Sequence, residues 1–187
     1  IMSWQLANEP RPMRPIAITD YKKWIATTAA YIKKLDSNHL VSIGTEGYIG
    51  TENREVFTEI HADKNIDYTT IHIWPKNWQW YNPENIKKEF PSVIKQTKDY
   101  IKEHILISKK LNKPLVIEEF GFPRDKGSFS PEANTNYRNK FYKEIFKLWQ
   151  KQVQKNGSLD GLNFWAFGGM ARPMPGQLFW KEGDDYM

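Results

Sequence analysis

The chain has 187 residues, 40% hydrophobic and 14% aromatic, so it can bury a core, and a single globular domain is expected. Its formal net charge of +5 comes from 27 basic and 22 acidic residues that are mixed along the sequence, and no recognition motif accompanies the excess. We therefore expect a solvated surface and no nucleic-acid partner. The absence of cysteine excludes disulfide scaffolds, thiol nucleophiles and cysteine-ligated metals, and no apolar run is long enough to span a membrane.

Short β-rich segments alternate with longer amphipathic ones, a pattern typical of α/β proteins with parallel strands. The first strand is predicted at residues 2–7, and a helix is predicted to begin at Asp20 as its N-cap. Further strands are predicted at residues 40–44 and 68–73, with a short helical turn over residues 57–62 between them. The helical spacing of its apolar residues predicts which face of the first helix packs on the sheet: Trp24, Ile25, Thr28, Tyr31, Ile32 and Leu35.

The same alternation continues in the second half of the chain. The segment between the prolines at 83 and 91 predicts that the next helix begins only after it, and this helix is predicted over residues 92–111. A fourth strand is predicted at residues 115–119, the longest helix at residues 131–155 and a fifth strand at residues 162–167.

Five strands with about four crossovers are too many for one βαβ unit and too few for a closed eight-stranded barrel, which takes about 250 residues. The predicted fold is α/β, a (β/α)8 TIM barrel, here a partial barrel of about five strands that lacks the N-terminal strands and the last helix. The chain starts inside a strand and ends without a helix after the fifth strand, so we expect missing sequence on both sides. Residues 1–187 are interpreted as one catalytic-domain segment.

Unusual polar residues gather where the predicted strands end. Asn8 and Glu9 follow the first strand, Glu46 follows the second, and His72 and Glu119 lie at the ends of the third and fourth. In a barrel, the carboxyl ends of the strands form the active-site face. Glycoside cleavage needs two facing carboxyl groups, because one protonates the leaving oxygen while the other attacks the anomeric carbon. The spacing of Glu9 and Glu119 corresponds to three βα units of ordinary length and fits such a pair.

Two motifs resemble those of clan A glycoside hydrolases: WQLANEPR at residues 4–11 is similar to the strand-four motif, and EEFG at residues 118–121 is similar to the strand-seven nucleophile motif. The longer segments HIWPKNW at residues 72–78 and GLNFWAFGG at residues 161–169 resemble the β-mannanases of glycoside hydrolase family 5. The similarity covers nearly the whole chain. It implies strands four to eight of the barrel and a retaining endo-β-1,4-mannanase that hydrolyses mannan, glucomannan or galactomannan by double displacement.

The resemblance also implies roles for particular residues. Glu9 would be the acid/base and Glu119 the nucleophile. Asn8 would donate a hydrogen bond to the sugar 2-hydroxyl, His72 would line the same subsite, and Trp165 would be its stacking floor. The family also uses an arginine from strand three, which this chain lacks, so we expect it to need the missing N-terminal barrel strands from flanking sequence or another chain.

Aromatic residues crowd the loop after the third strand. Trp74 stands where many clan members have a tyrosine that touches the nucleophile, and its indole can only donate. Trp74 and Trp78 are predicted to contact substrate because of the family match. For Trp80 and Tyr81 two interpretations stay open: they stack on the sugar, or they form a small satellite core beneath the loop. Glu46 is a further candidate for substrate binding, the alternative being a loop hydrogen-bonding group.

Adjacent Glu118 and Glu119 compete for the nucleophile role. Neighbouring residues of a strand point to opposite faces, so only one is expected to enter the barrel mouth. The motif favours Glu119 and leaves Glu118 a structural role. The four histidines show no ligand spacing, so no metal site is predicted, and the reaction needs no cofactor.

Two alternatives stay open. A cellulase or another clan A β-glycanase would use the same two glutamates, because specificity depends on the loops. The other alternative is a non-catalytic carbohydrate-binding fragment, or an incomplete barrel that must associate with a second chain bearing the missing strands, and unpaired first and fifth strands would support it. In each case the expected partner is a polysaccharide. A polymer substrate leads us to expect a secreted or periplasmic protein, although no signal peptide is found in the chain.

Overall fold

The structure is a computed structural model, and it describes residues 1–128, 130, 132–166 and 176. In this part of the chain, strands and α-helices alternate, and three of the loops between them contain a 3₁₀ turn. The strands are β1 (Ser3–Gln5), β2 (Leu40–Ser42), β3 (Thr69–Ile73), β4 (Leu115–Phe120) and β5 (Leu159–Leu162). The helices are α1 (Ile18–Leu35), α2 (Arg54–His61), α3 (Ile86–Leu111) and α4 (Asn136–Val153). None of the described helices is both long and apolar enough to cross a membrane.

All paired strands are parallel and follow one another in chain order. β1 pairs with β2, and β3, β4 and β5 form a second ladder in that order. The two ladders are joined by other bonds: Asp67 donates its backbone N–H to the Val41 carbonyl (2.8 Å) and accepts the Val41 N–H on its carboxylate (2.6 Å). Sequential parallel strands with helical crossovers form a partial barrel wall, which confirms the predicted fold class.

Two apolar clusters lie between the strands and the helices. One unites Ile71 and Ile117 of the sheet with Ile101 of α3 and Phe141 of α4, and the other packs α1 and α2 on Val41 and its neighbours. Every residue of β3 is buried. Because side chains alternate along a strand, those on one face of β3 support the helical layer and those on the other point inside the barrel wall.

Helix α1 differs from its prediction in both its start and its buried face. It begins at Ile18, so Asp20 lies within the first turn and is not the N-cap. The buried residues are Tyr21, Ile25 and Ala29, whereas three of the residues predicted to face inward are exposed: Trp24, Tyr31 and Leu35. The small Ala29 allows the helix to approach the sheet closely, and the bulky residues form a separate exposed stripe.

Helix α3 begins earlier than predicted and contains Pro91. A 3₁₀ turn with Pro83 at its start precedes it, and the Asn82 side chain accepts the Glu84 N–H at 3.0 Å. With 26 residues, α3 exceeds the 18 residues of α4, so the prediction that the fourth helix is the longest was wrong for the described chain. Pro91 is exposed, so the helix tolerates it on the side that faces solvent.

The boundaries of α4 and β5 were also shifted. Helix α4 begins at Asn136, five residues after the predicted start, and β5 ends where the fifth strand was predicted to begin. Buried Leu159 anchors this earlier strand, and the Leu115 N–H donates to the neighbouring Ser158 carbonyl at 2.6 Å. The end of the predicted fifth strand and the last residues of the GLNFWAFGG motif lie outside the described residues, as do Phe179, Trp180, Glu182, Asp184 and Asp185.

Candidate active site

Glu9 is positioned by the loop beyond β1. Its backbone N–H donates to the Gly44 carbonyl at 2.9 Å, and Glu9 itself adopts a positive φ of 48°. Gly44 has a φ of +84°, and a Cβ atom there would overlap with the Ala7 carbonyl oxygen. Only glycine fits both constraints, so the crossing of the chain segments after β1 and β2 determines where the Glu9 carboxylate lies.

Glu9 and Glu119 meet around the buried ring of His72. Nδ1 of His72 lies 2.8 Å from Glu9 Oε1 and 3.4 Å from Glu119 Oε2. One oxygen of each glutamate and one ring nitrogen of His72 all lie within 4.8 Å of one another. Carboxyl groups about 5 Å apart are typical of retaining glycosidases. The structure therefore brings one oxygen of each of the two predicted catalytic carboxylates within 4.8 Å of the other, which is compatible with a retaining pair.

The surroundings of His72 make it a cation at neutral pH. Burial lowers the pKa of His72, but the carboxylates of Glu118, Glu9 and Glu119 around its ring outweigh burial and raise that pKa to about 9. Burial also raises the pKa of Glu119, an effect that the adjacent His72 cation opposes. An imidazolium donates from both ring nitrogens, so Nδ1–H can serve the catalytic pair directly.

Trp74 contacts the Glu119 carboxylate from the other side. Its Nε1–H donates to Glu119 Oε2 at 3.2 Å. As the sequence indicated, the indole can only donate, so it favours the ionised carboxylate, the form that the predicted nucleophile needs.

Glu118 also turns toward His72, contrary to the expected alternation. The β3–β4 register shifts between Ile71 and His72: Ile71 pairs with Ile117, but His72 pairs with Glu119. Glu118 is the extra residue of this bulge, and its Oε2 lies 3.9 Å from His72 Nε2. The prediction that Glu118 and Glu119 point to opposite faces was wrong. It assumed that side chains alternate regularly along β4, and the bulge interrupts that alternation at Glu118.

Glu46 is deeply buried and belongs to a second charge cluster beside the pair. Its carboxylate forms an ion pair with Arg11 and accepts the Trp78 Nε1–H at 3.3 Å. Arg11 Nη2 also lies 3.9 Å from Glu9 Oε2. Sequence reasoning missed Arg11, although it is the last residue of the WQLANEPR motif. The Glu46 carbonyl accepts the His72 backbone N–H at 3.1 Å, so this cluster and the catalytic pair share a framework.

The aromatic loop after β3 packs largely on the protein itself. The Trp78 ring lies 5.0 Å from Trp80 and 5.3 Å from Tyr100, centroid to centroid. Tyr81 is buried and stacks on Phe122 at 5.1 Å. Trp80 and Tyr81 thus join the core, and Trp78 combines this packing with its bond to a site carboxylate.

Two other candidates lie open to solvent beside the pair. Asn8 is exposed next to Glu9. Trp165, 47% exposed, donates its backbone N–H to the Phe120 carbonyl at 2.9 Å and so sits beside Glu119. Both positions suit contact with a sugar, and their substrate roles stay predictions.

The same three side chains could approach a cation, since two carboxylate oxygens and one ring nitrogen lie together. The carboxylates raise the pKa of His72 to about 9, so a metal ion would have to displace the ring proton before it could bind that nitrogen. The expectation of a site without a metal or cofactor stays a prediction.

A wall of parallel βα units with two carboxylates at the carboxyl ends of its strands is the arrangement of a barrel-type glycoside hydrolase. Comparison with known proteins assigns the family: the model for GH family 5 beta-mannosidase-like proteins matches residues 1–187. The chain belongs to glycoside hydrolase family 5.

The most similar proteins include plant and fungal enzymes. Mannan endo-1,4-beta-mannosidase 4 of Solanum lycopersicum is 32% identical over 180 residues, covering 88% of this chain and 41% of that protein. Mannan endo-1,4-beta-mannosidase 1 of Arabidopsis thaliana is 32% identical over 179 residues, covering 88% of this chain and 42% of that protein. The chain therefore spans about two fifths of the length of these curated relatives.

Solved structures agree with this assignment. The family 5 mannosidase of Rhizomucor miehei superposes with a TM-score of 0.82 at 34% identity, covering 94% of this chain and 42% of that chain. The endo-1,4-beta-D-mannanase of Thermotoga petrophila superposes with a TM-score of 0.63 at 27% identity, covering 88% of this chain and 45% of that chain.

Proposed function

We propose that the protein containing this chain is a retaining endo-β-1,4-mannanase that cleaves mannan, glucomannan or galactomannan. The observation that carries the proposal is the placement of Glu9 and Glu119 on either side of the His72 Nδ1–H, within retaining distance. The names of the plant relatives support mannan as the substrate.

The geometry suits a double displacement. Ionised Glu119 attacks the anomeric carbon while protonated Glu9 gives its proton to the leaving oxygen, so the C–O bond breaks and a glycosyl ester forms on Glu119. Glu9, now a carboxylate, then takes a proton from water. This water attacks the anomeric carbon and releases Glu119. Asn8 would bind the sugar 2-hydroxyl, and Trp165 would stack on the sugar ring.

The test uses the complete protein that contains this chain, with mannan as substrate and release of reducing ends as the measurement. Glu9→Gln and Glu119→Gln should each lower the rate by a factor of about a hundred or more, because each removes a reacting carboxyl group. Glu103→Gln is a matched control, since Glu103 is partly exposed on α3 and pairs with Arg54 away from the site. A wild-type protein inert on all β-glycans would overturn the proposal and favour carbohydrate binding.

A second candidate is a mannosidase that acts on the ends of short mannosides. The Rhizomucor miehei mannosidase superposes better than the Thermotoga petrophila endo-mannanase, and a variant of it was solved in complex with mannosyl-fructose. Rapid loss of mannan viscosity per bond cleaved would support cleavage within the chain, as by an endo-mannanase. Release of single mannose units without that loss would support the mannosidase.

The cellulase alternative shares both catalytic glutamates, and the described loops do not distinguish a mannosyl from a glucosyl unit. Parallel assays on mannan and cellulose decide between them, because a preference of either kind must come from contacts outside the reacting carboxylates.

We further propose that the active barrel needs additional βα units beside β1. Among the described strands, β1 pairs only with β2, so its other edge is open, and α1 next to it exposes Trp24, Tyr31 and Leu35. An open edge and an apolar stripe together call for a covering element. A polymer substrate also supports export of the protein, either secreted or periplasmic, which cell fractionation would test.

A further inference from the structure

The His72 ring is buried, so both of its nitrogens need partners from the protein. The side chain is only 1% exposed. Nδ1 faces the two catalytic carboxylates, whereas Nε2 points the opposite way, toward Glu118 Oε2 at 3.9 Å. Among the described residues, neither Nε2 nor this oxygen has a hydrogen-bond partner. Two buried polar atoms of opposite character thus face each other alone.

The Glu118 carboxylate is held by two hydroxyl groups, one on β2 and one just before β3. Its second oxygen, Oε1, accepts the Tyr68 hydroxyl at 3.3 Å and the Ser42 hydroxyl at 3.4 Å. The Tyr68 hydroxyl is itself 2.9 Å from Ser3 Oγ, so the hydroxyl chain runs from β1 through Tyr68 to the carboxylate on β4. These donors occupy one oxygen and leave the other directed at His72. The carboxylate is nearly buried and its orientation is fixed by the barrel interior.

We propose that Glu118 is a positioning residue: its carboxylate holds His72 Nε2–H from beneath and so keeps Nδ1–H directed between the two catalytic carboxylates. This inference rests on the proposed function, because it assigns Glu118 to the same site. It goes beyond the motif, which pointed to the second of the adjacent glutamates alone.

The physical reason lies in the chemistry of imidazole. A neutral ring carries only one N–H, so a proton on Nε2 would leave a lone pair on Nδ1, facing Glu9 and Glu119. Such an acceptor facing two carboxylates would repel them. The charged ring avoids that state because both of its nitrogens carry a proton, and the Glu118 carboxylate on the Nε2 side stabilises this charged form.

The groups that face His72 come from every strand around it. They are Glu9 beyond β1, the main chain of Glu46 beyond β2, Glu118 and Glu119 on β4, and Trp74 beyond the end of β3 through its bond to Glu119. Arg11 acts at one remove, 3.9 Å from the far oxygen of Glu9. Of these, Glu118 is the charged group on the Nε2 side.

The test is Glu118→Gln in the complete protein, with nitrogen NMR of the His72 ring and mannan kinetics as readouts. The amide keeps the shape and removes the charge. The pKa of His72, about 9 in the wild type, should move down by at least about one pH unit.

The kinetics of mannan cleavage are the second readout. The kcat should fall about 10- to 100-fold with little change in KM, because the catalytic pair loses its alignment. The acidic limb of the pH–rate profile should move down, since the negative charge of Glu118 raises the pKa of Glu119 and the substitution removes it, while His72 stays protonated at acidic pH.

Tyr68→Phe and Glu103→Gln are the controls. Tyr68→Phe keeps the Glu118 charge but removes a donor, so it should give a smaller effect of the same sign, and it still tests the proposal if Glu118→Gln fails to fold. Glu103→Gln should change neither readout. An unchanged His72 titration in Glu118→Gln, or a wild-type His72 that titrates below pH 7, overturns the proposal.

The NMR readout separates this inference from the proposed function. If the wild-type protein cleaves no β-mannoside but Glu118→Gln lowers the His72 titration, the proposed function fails and the positioning of His72 by Glu118 stands. If mannan is cleaved but neither His72 nor kcat responds to Glu118→Gln, the function stands and the positioning role is wrong.

Discussion

The position of Glu9, the predicted acid/base, depends on one glycine. Gly44 accepts the Glu9 N–H, has a φ of +84° and lies against the Ala7 carbonyl and the Gln5 side chain. We expect Gly44→Ala to lower the free energy of unfolding by more than about 2 kcal/mol, because the left-handed backbone alone costs roughly 1–2 kcal/mol and the Cβ overlap adds to it. Displacement of Glu9 should also lower kcat. Urea unfolding and mannan kinetics measure the two effects.

Gly176→Ala is the matched control. Gly176 has a similar φ of +79°, but a Cβ atom there meets nothing within 4 Å among the described residues. It should show the backbone cost without the overlap and without the kinetic defect. Equal losses of stability in the two variants would contradict the role given to the overlap at Gly44.

At this scale the sequence predicted the residues that a motif can identify. Glu9, His72 and Glu119 were placed together because polar residues at the carboxyl ends of parallel strands must meet at one edge. Glu118 was misplaced because a bulge leaves no mark on a single sequence, and one extra residue reverses the face of its neighbour. Arg11 was overlooked because an arginine after Glu-Pro carries no signal of its buried acidic partner.

Among the elements, α3 contains a local defect that its packing tolerates. Pro91 lies inside the helix, lacks the N–H that would reach the Lys87 carbonyl, and is exposed. We expect Pro91→Ala to raise the free energy of unfolding by about 1–3 kcal/mol, measured by urea unfolding. Pro83→Ala is the control, since Pro83 starts a 3₁₀ turn where the missing N–H is not needed. No gain for Pro91→Ala over Pro83→Ala would show that the helix bends to absorb the proline.

The types and order of the helices and strands could be predicted from the sequence, but their boundaries could not. Strand and helix types, their order and their parallel pairing followed from hydrophobic periodicity, because that periodicity reflects which faces are buried. The boundaries did not follow: proline rules placed the start of α3 too late, and tertiary packing of Leu159 moved β5 toward the N-terminus. In α1, apolar size alone could not tell the face that meets the sheet from the face that exposes Trp24 and Tyr31.

For the whole molecule, three histidines set opposing limits on stability. Burial lowers the pKa of His61 and of His104 to about 3, against 6.5 in the unfolded chain, so their contribution is present above pH 6.5 and is lost as pH falls toward 3. His72 has the opposite sign: its pKa of about 9 gives stability below pH 6.5 that is lost as pH rises toward 9. Considering these histidines, we expect the free energy of unfolding to be highest near pH 6.5.

The slopes should differ on the two sides of that maximum. Each histidine contributes about 1.4 kcal/mol per pH unit at most, so the acidic side, with two histidines, should be the steeper. Urea unfolding of the complete protein at pH 4.5, 6.5 and 8.5 measures this directly. His72→Gln should flatten the alkaline side only. A variant that instead flattens the acidic side would contradict the assignment of His61 and His104 to acid sensitivity.

The apolar stripe on α1 leads to a prediction about the complete barrel. Leu35 is 68% exposed at the end of α1, where the next residue, Asp36, accepts the Trp4 Nε1–H of β1, while Leu106 is 61% exposed on α3. If further βα units cover β1 and α1, Leu35 is buried in the complete protein and Leu106 is not. Leu35→Lys should then lower the free energy of unfolding by about 2 kcal/mol or more, and Leu106→Lys by less than about 0.5 kcal/mol. Equal effects of the two substitutions on the complete protein would mean that α1 stays uncovered, and the barrel would have to close by elements that leave this stripe in solvent.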